Sequence, residues 1–155
     1  MSNDELVSPP GTIELGGNTI LVAKATEKDV FAIFSNAKKQ AKKMYNPLRD
    51  SLDLLKDVPG VTDAQKSEII MLAYKAKMSG AVPEDVITEY ITSPQGCAFQ
   101  IYVLTRKTQP DLKLDKIQSY INDENCVAIF AELDEATGVN LIHRAFESSD
   151  FFPQP

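Results

Sequence analysis

The segment Cys97-Ala98-Phe99-Gln100-Ile101-Tyr102-Val103-Leu104 is apolar almost all round, and it follows Ser93-Pro94. A capping side chain with proline at the first helical position is a strong helix start. A helix without a polar face must be covered on every side, so the rest of the chain is expected to wrap this element. Its length and β-branched content also suit a buried strand, and periodicity alone leaves both readings open. The proline cap and the adjoining helical patterns favour a buried central helix. Gly96 lies one turn inside it, where glycine costs about 1 kcal/mol relative to alanine. Its presence there predicts close approach of another helix backbone.

The elements around this segment read mainly as helices. Thr26 caps a pattern in which Val30, Phe34, Ala37, Ala41 and Met44 form one apolar face. Asn46-Pro47 interrupts it, because proline disfavours helix at the preceding residue. Leu48, Leu52 and Leu55 begin a second stripe that stops near Pro59-Gly60. Thr62 with Gln65 spells a capping box for a third helix carrying Ile69, Ile70, Ala73 and Ala76, with Gly80 as its stop. Further helices are expected at 84–92, 114–122, 124–137 and 139–147. Ahead of them all, residues 12–23 alternate apolar and polar side chains around Gly16-Gly17, the pattern of a tight β-hairpin. The expected fold is mainly α: a compact multi-helix domain over 12–147 with a short N-terminal β-hairpin. Residues 1–11 and 148–155 read as a flexible tail and an irregular tail.

The 155 residues carry a net charge of −6, which disfavours nonspecific nucleic-acid binding. No stretch approaches the roughly 20 apolar residues of a membrane span. Cys97 and Cys126 both sit in apolar runs and read as reduced, buried side chains. The acidic N-terminus lacks the features of a signal peptide, which points to the cytoplasm.

Chemistry has little to work with. His143 is the one histidine and no Cys-x-x-Cys pair exists, so no metal site is expected. No nucleophile elbow or phosphate loop is present. Glu132, Asp134 and Glu135 suit a solvated helix face. No catalytic residue and no cofactor are assigned. Charge says more: Lys38, Lys39, Lys42 and Lys43 stack like charges at i,i+4, which gains nothing within a helix. They read either as a solvated face or as a docking surface for an acidic partner. Beyond residue 108 acids dominate, so the basic stripe suits contact with the acidic half of the same or a second molecule. Self-association is therefore a candidate, with Phe151 and Phe152 in the Pro-flanked tail as aromatic anchors.

Two stretches, Ser93-Pro94-Gln95-Gly96-Cys97-Ala98-Phe99 and Leu104-Thr105-Arg106-Lys107-Thr108-Gln109-Pro110-Asp111-Leu112, resemble a pattern in tailed-bacteriophage tail assembly chaperones and their close relatives in the tail-gene cluster. The resemblance spans about residues 12–122 and rests on Ser93, Pro94, Gly96, Arg106, Lys107, Pro110 and Asp111, none of them catalytic. Gln109 stands where relatives often have histidine, and Lys113 where a capping Ser or Thr is usual. The resemblance implies a non-catalytic protein of the host cytoplasm, absent from the mature virion. It would bind the tape measure protein and help recruit tail-tube subunits. Phe31, Phe34, Phe99 and Tyr102 join Phe151 and Phe152 as candidate groove residues. A virion structural or adaptor protein of the tail or neck is the competing reading, and a small phage-encoded regulator or enzyme a third.

Overall fold

The computed structural model describes residues 11–138. They form a two-stranded antiparallel hairpin, β1 (Gly11–Leu15) and β2 (Asn18–Val22), followed by helices. These are α1 (Glu27–Met44), α2 (Pro47–Asp57), α3 (Asp63–Ser79), α4 (Glu84–Ile91), α5 (Pro94–Thr105), α6 (Leu114–Gln118) and α7 (Cys126–Thr137). The expected mainly helical fold with an N-terminal hairpin is observed. The expected helix over 139–147, residues 1–10 and residues 148–155 lie outside the described residues; Gly11, expected in the flexible tail, instead opens β1 and pairs with Val22.

Segment 97–104 is helical and central. The Gly96 N–H donates to Ser93 Oγ at 3.2 Å, and Pro94 takes the first helical position, where its missing N–H costs nothing. Around α5 pack α1, α4, α6, α7 and β2. Cys97, Ala98, Ile101, Val103 and Leu104 are buried with Phe34, Ile33, Ile91, Ile117 and Leu133. Even Gln100 is buried, its amide donating to the Ile91 carbonyl at 3.2 Å. Gly96 fits closely against the end of α4: a Cβ there would stand 2.1 Å from the Tyr90 carbonyl oxygen. That is the close backbone approach the glycine predicted.

The hairpin turns on Gly16 and Gly17, both at positive φ, as a tight two-residue loop requires. Ile13, Leu15, Ile20 and Val22 point into the core in strict alternation. Two strands alone are marginal, and tertiary contacts hold both edges. The Glu14 N–H donates to Glu132 on α7, and the Leu21 N–H donates to the Gln109 side chain at 3.2 Å. Thr108 Oγ1 donates to the Leu21 carbonyl, and the Ala23 N–H to the Leu104 carbonyl. Glu132 is therefore a strand-edge partner as well as a surface carboxylate.

Two helices are shorter than their sequence patterns. α6 ends at Gln118, because Tyr120 and Ile121 turn back through i,i+3 bonds. α7 starts at Cys126 because Asn122 and Asn125 bond the backbone of the 122–125 turn instead. The third helix departs further from expectation. α2 and α3 pair with each other as an αα-hairpin, and α3 fully buries only Ala73. Ile70 and Ala76 are half-buried and Ile69 is exposed, so the expected core face is only partly a core face.

Candidate partner-binding surface

The residue just past α5, Arg106, meets the start of α1 at a joint. Thr26 and Asp29 form a reciprocal capping box at the start of α1, with the Asp29 N–H donating to Thr26 Oγ1 and the Thr26 N–H to the Asp29 carboxylate. Asp29 is only 2% exposed, and Arg106, just past α5, reaches its second oxygen at 3.3 Å. Burial pushes the Asp29 carboxyl upward. The Thr26 hydrogen bonds, the nearby Lys107 charge and Arg106 outweigh it, and the group ends below its ordinary value. Pro110 and Asp111 lie in the turn between α5 and α6, where the Leu112 N–H donates to the Gln109 carbonyl. Ser93, Pro94 and Gly96 set the α4–α5 joint. Ser93, Pro94, Gly96 and Arg106 thus serve the framework, while Lys107, Pro110 and Asp111 are exposed.

Metal ligation has no ready cluster among the described residues: no group of three or more His, Cys, Asp or Glu could hold an ion. Cys97 and Cys126 are free and buried. Burial, with Cys126 beside it, pushes the Cys97 thiol up to about 12, so it stays protonated and unreactive at neutral pH. Burial also raises the Asp134 carboxyl.

The candidate groove residues separate. Phe34 is fully buried and belongs to the core, because its side of α1 faces α5. Tyr102 is half-buried against the same core, in tilted contact with Phe99. Phe99 lines a hollow of about 440 Å³ with Met44, Tyr90, Asn36, Gln40 and Gln118. Phe31 is exposed. Phe151 and Phe152 lie outside the described residues, as does His143. In the basic stripe, Lys39, Lys42 and Lys43 are exposed and Lys38 is half-buried. Lys42 Nζ lies beside Gly80, at the C-terminal end of α3. A cation there favours the negative end of the helix dipole.

The larger feature is one the periodicity of the sequence concealed. The α2–α3 arm exposes Leu52, Leu54, Val58, Ile69, Met71, Leu72, Tyr74 and Met78. Leu54, Leu72 and Met78 are 65%, 60% and 68% exposed. Met44, Met71 and Met78, every methionine among the described residues, are mostly open to solvent. Methionine is flexible and polarizable and suits surfaces that adapt to apolar partners. At about 100° per residue, Met71, Tyr74 and Met78 fall on one side of α3. Grouped exposed apolar side chains of this kind are the raw material of an interaction surface.

A groove of about 720 Å³ runs between α2 and α3. Leu48, Leu52, Leu55 and Ile70 line it, with Arg49, Lys56, Lys66 and Lys77 around it and Asp53 as the lone acid. Asp53 pairs with Lys56 at 3.6 Å. The groove is apolar with a basic rim, and its α3 lining, Lys66, Ile70 and Lys77, lies about a quarter turn away from Met71, Tyr74 and Met78. α3 carries apolar side chains on every side, so its sequence shows no single face from which burial or exposure could be read. No helix among the described residues is long and apolar enough to cross a membrane. Comparison with known proteins finds no matching family model, no similar curated protein and no similar solved structure.

Proposed function

We propose that this protein is a non-catalytic assembly chaperone that holds an apolar helical segment of its client, in the manner of phage tail assembly chaperones. The client would be the tape measure protein, whose long apolar helices need cover until tail-tube subunits arrive. The observation that carries this reading is the α2–α3 arm, with Met71, Tyr74 and Met78 on one side of α3. A partner helix meets such a surface through its own i, i+3 and i+4 anchors. Burying a methionine fully is worth about 1.5–3 kcal/mol. A few such anchors therefore yield binding that a competing tube subunit can displace.

Co-expression with a tape-measure fragment tests the reading. Wild type should co-purify with the fragment and keep it soluble, and Met71→Glu with Met78→Glu should abolish both effects while leaving the thermal melt unchanged. Equal recovery of the fragment by the variant refutes the assignment of this surface. Stoichiometric presence of the protein in purified virions would favour the adaptor reading instead.

A further inference from the structure

We propose that the α2–α3 groove binds the exposed face of α7 from a second copy of this chain, joining molecules head to tail. This contact uses a different side of the arm from the client surface and stands independently of the chaperone reading.

The groove specifies its occupant by shape and charge. Its apolar floor is flanked by α2, whose 11 residues span about 16 Å at 1.5 Å per residue. Three turns of helix fill that length. Its basic rim, Arg49, Lys56, Lys66 and Lys77, carries one acid, Asp53, already paired with Lys56. The fitting ligand is therefore an acidic helix with a narrow apolar stripe.

The chain carries such a helix. α7 has 12 residues, and its exposed side shows Val127, Ala128 and Ala131 between Glu124, just ahead of the helix, and Glu135. At 3.6 residues per turn Val127, Ala128, Ala131 and Glu135 share one face, and Glu124 stands in the turn that leads into the helix. Val127 is 74% exposed, and the two alanines let a helix axis settle deep into a groove. Glu124 and Glu135 then lie at the two ends of the stripe, where a basic rim can meet both.

The distribution of charge along the chain agrees. Residues 27–80 hold ten basic and seven acidic side chains; residues 81–138 hold four and ten. Such opposed halves steer encounter and set orientation. Among the described residues the two faces are not packed on each other. α7 packs on β1, β2 and α5, α2 packs on α3, and both outer surfaces remain exposed. Because the two surfaces differ, the contact is heterologous and builds rings or open chains rather than a closed two-fold dimer.

Charge swapping tests this directly. Sedimentation velocity of the full chain over a concentration series should show wild-type self-association that weakens with added salt. Lys66→Glu with Lys77→Glu should weaken it roughly tenfold or more through like-charge contact. Glu124→Lys with Glu135→Lys should do the same. An equimolar mixture of the two variants should associate again, since each reversed surface then meets its complement. Unchanged circular dichroism melts exclude unfolding as the cause. A wild type that stays monomeric throughout, variants that associate like wild type, or a mixture that fails to recover would each overturn the proposal. Wild type that stays monomeric but captures an acidic helical peptide would assign the groove to another protein.

Discussion

Replacing Gly96 by alanine sets two effects of opposite sign against each other. Helix propensity favours alanine by up to about 1 kcal/mol, and less so in a first turn, where few intrahelical bonds depend on the residue. The added Cβ would stand 2.1 Å from the Tyr90 carbonyl oxygen, 2.6 Å from the Ile91 carbonyl oxygen and 2.7 Å from Ile91 Cα. All three are backbone atoms, so no side-chain rotation relieves the contact. Reaching ordinary contact requires α4 and α5 to separate by about 1 Å or more, which disturbs the Gln100 bond to the Ile91 carbonyl. Overpacking of this kind costs typically 1–3 kcal/mol, and its rigid backbone setting places it at the upper end. We expect Gly96→Ala to lose about 2 kcal/mol net, a fall in Tm of roughly 4–8 °C for a domain of this size. Urea unfolding followed by circular dichroism measures it, with Gly60→Ala as control. Gly60 has positive φ but nothing within 4 Å of its Cβ position, so its cost is conformational strain alone, about 1 kcal/mol. A Gly96→Ala protein as stable as wild type, or more stable, would falsify the reasoning that α4 and α5 are locked through this glycine.

Asp29→Asn should destabilise by about 1–3 kcal/mol, since it weakens charge-assisted bonds to Thr26 and Arg106 at a buried site. Because the Asp29 carboxyl is depressed from 3.8, its contribution is present above that pH and lost as pH falls through the folded-state value. Acid titration of stability should therefore be shallower below about pH 4 in the variant than in wild type. Gln109→Ala should cost about 1 kcal/mol and speed hydrogen exchange at the Leu21 amide, which then loses its acceptor; unchanged exchange there would show that the β2 edge is held without Gln109. Cys97 and Cys126 should ignore a thiol reagent in the native protein and both react after denaturation without reductant. Failure to react then would mean a bond the structure does not contain.

Local chemistry made much of the framework legible. Thr26, Thr62 and Ser93 cap helices because each side chain supplies an acceptor for a first-turn N–H that has no intrahelical partner; Asn46, read only as an interruption, does the same for α2. Gly16-Gly17 makes a hairpin turn and Gly80 a left-handed stop for reasons contained within a few residues. Gly96 forecast a close neighbour because glycine in a helix is costly without one. The ends of α6 and α7 were harder to read. There, side-chain bonds from Asn122 and Asn125 compete with the helix, and no apolar period reports that competition.

The sequence by itself determined the starts of the helices opened by Thr26, Thr62 and Ser93-Pro94 and the placement of the hairpin, since capping and turn chemistry act through residue identity and short-range geometry. Only the tertiary structure decided which apolar faces are covered. Phe34 and Met44 belong to the same periodic face of α1, yet Phe34 is buried and Met44 is 61% exposed, because α4 and α5 cover only part of that helix. Ile70 and Met71 are adjacent, and one lines a groove while the other faces solvent. Periodicity identifies a surface able to bury itself; it carries no information about whether the burying partner comes from the same chain or from another molecule.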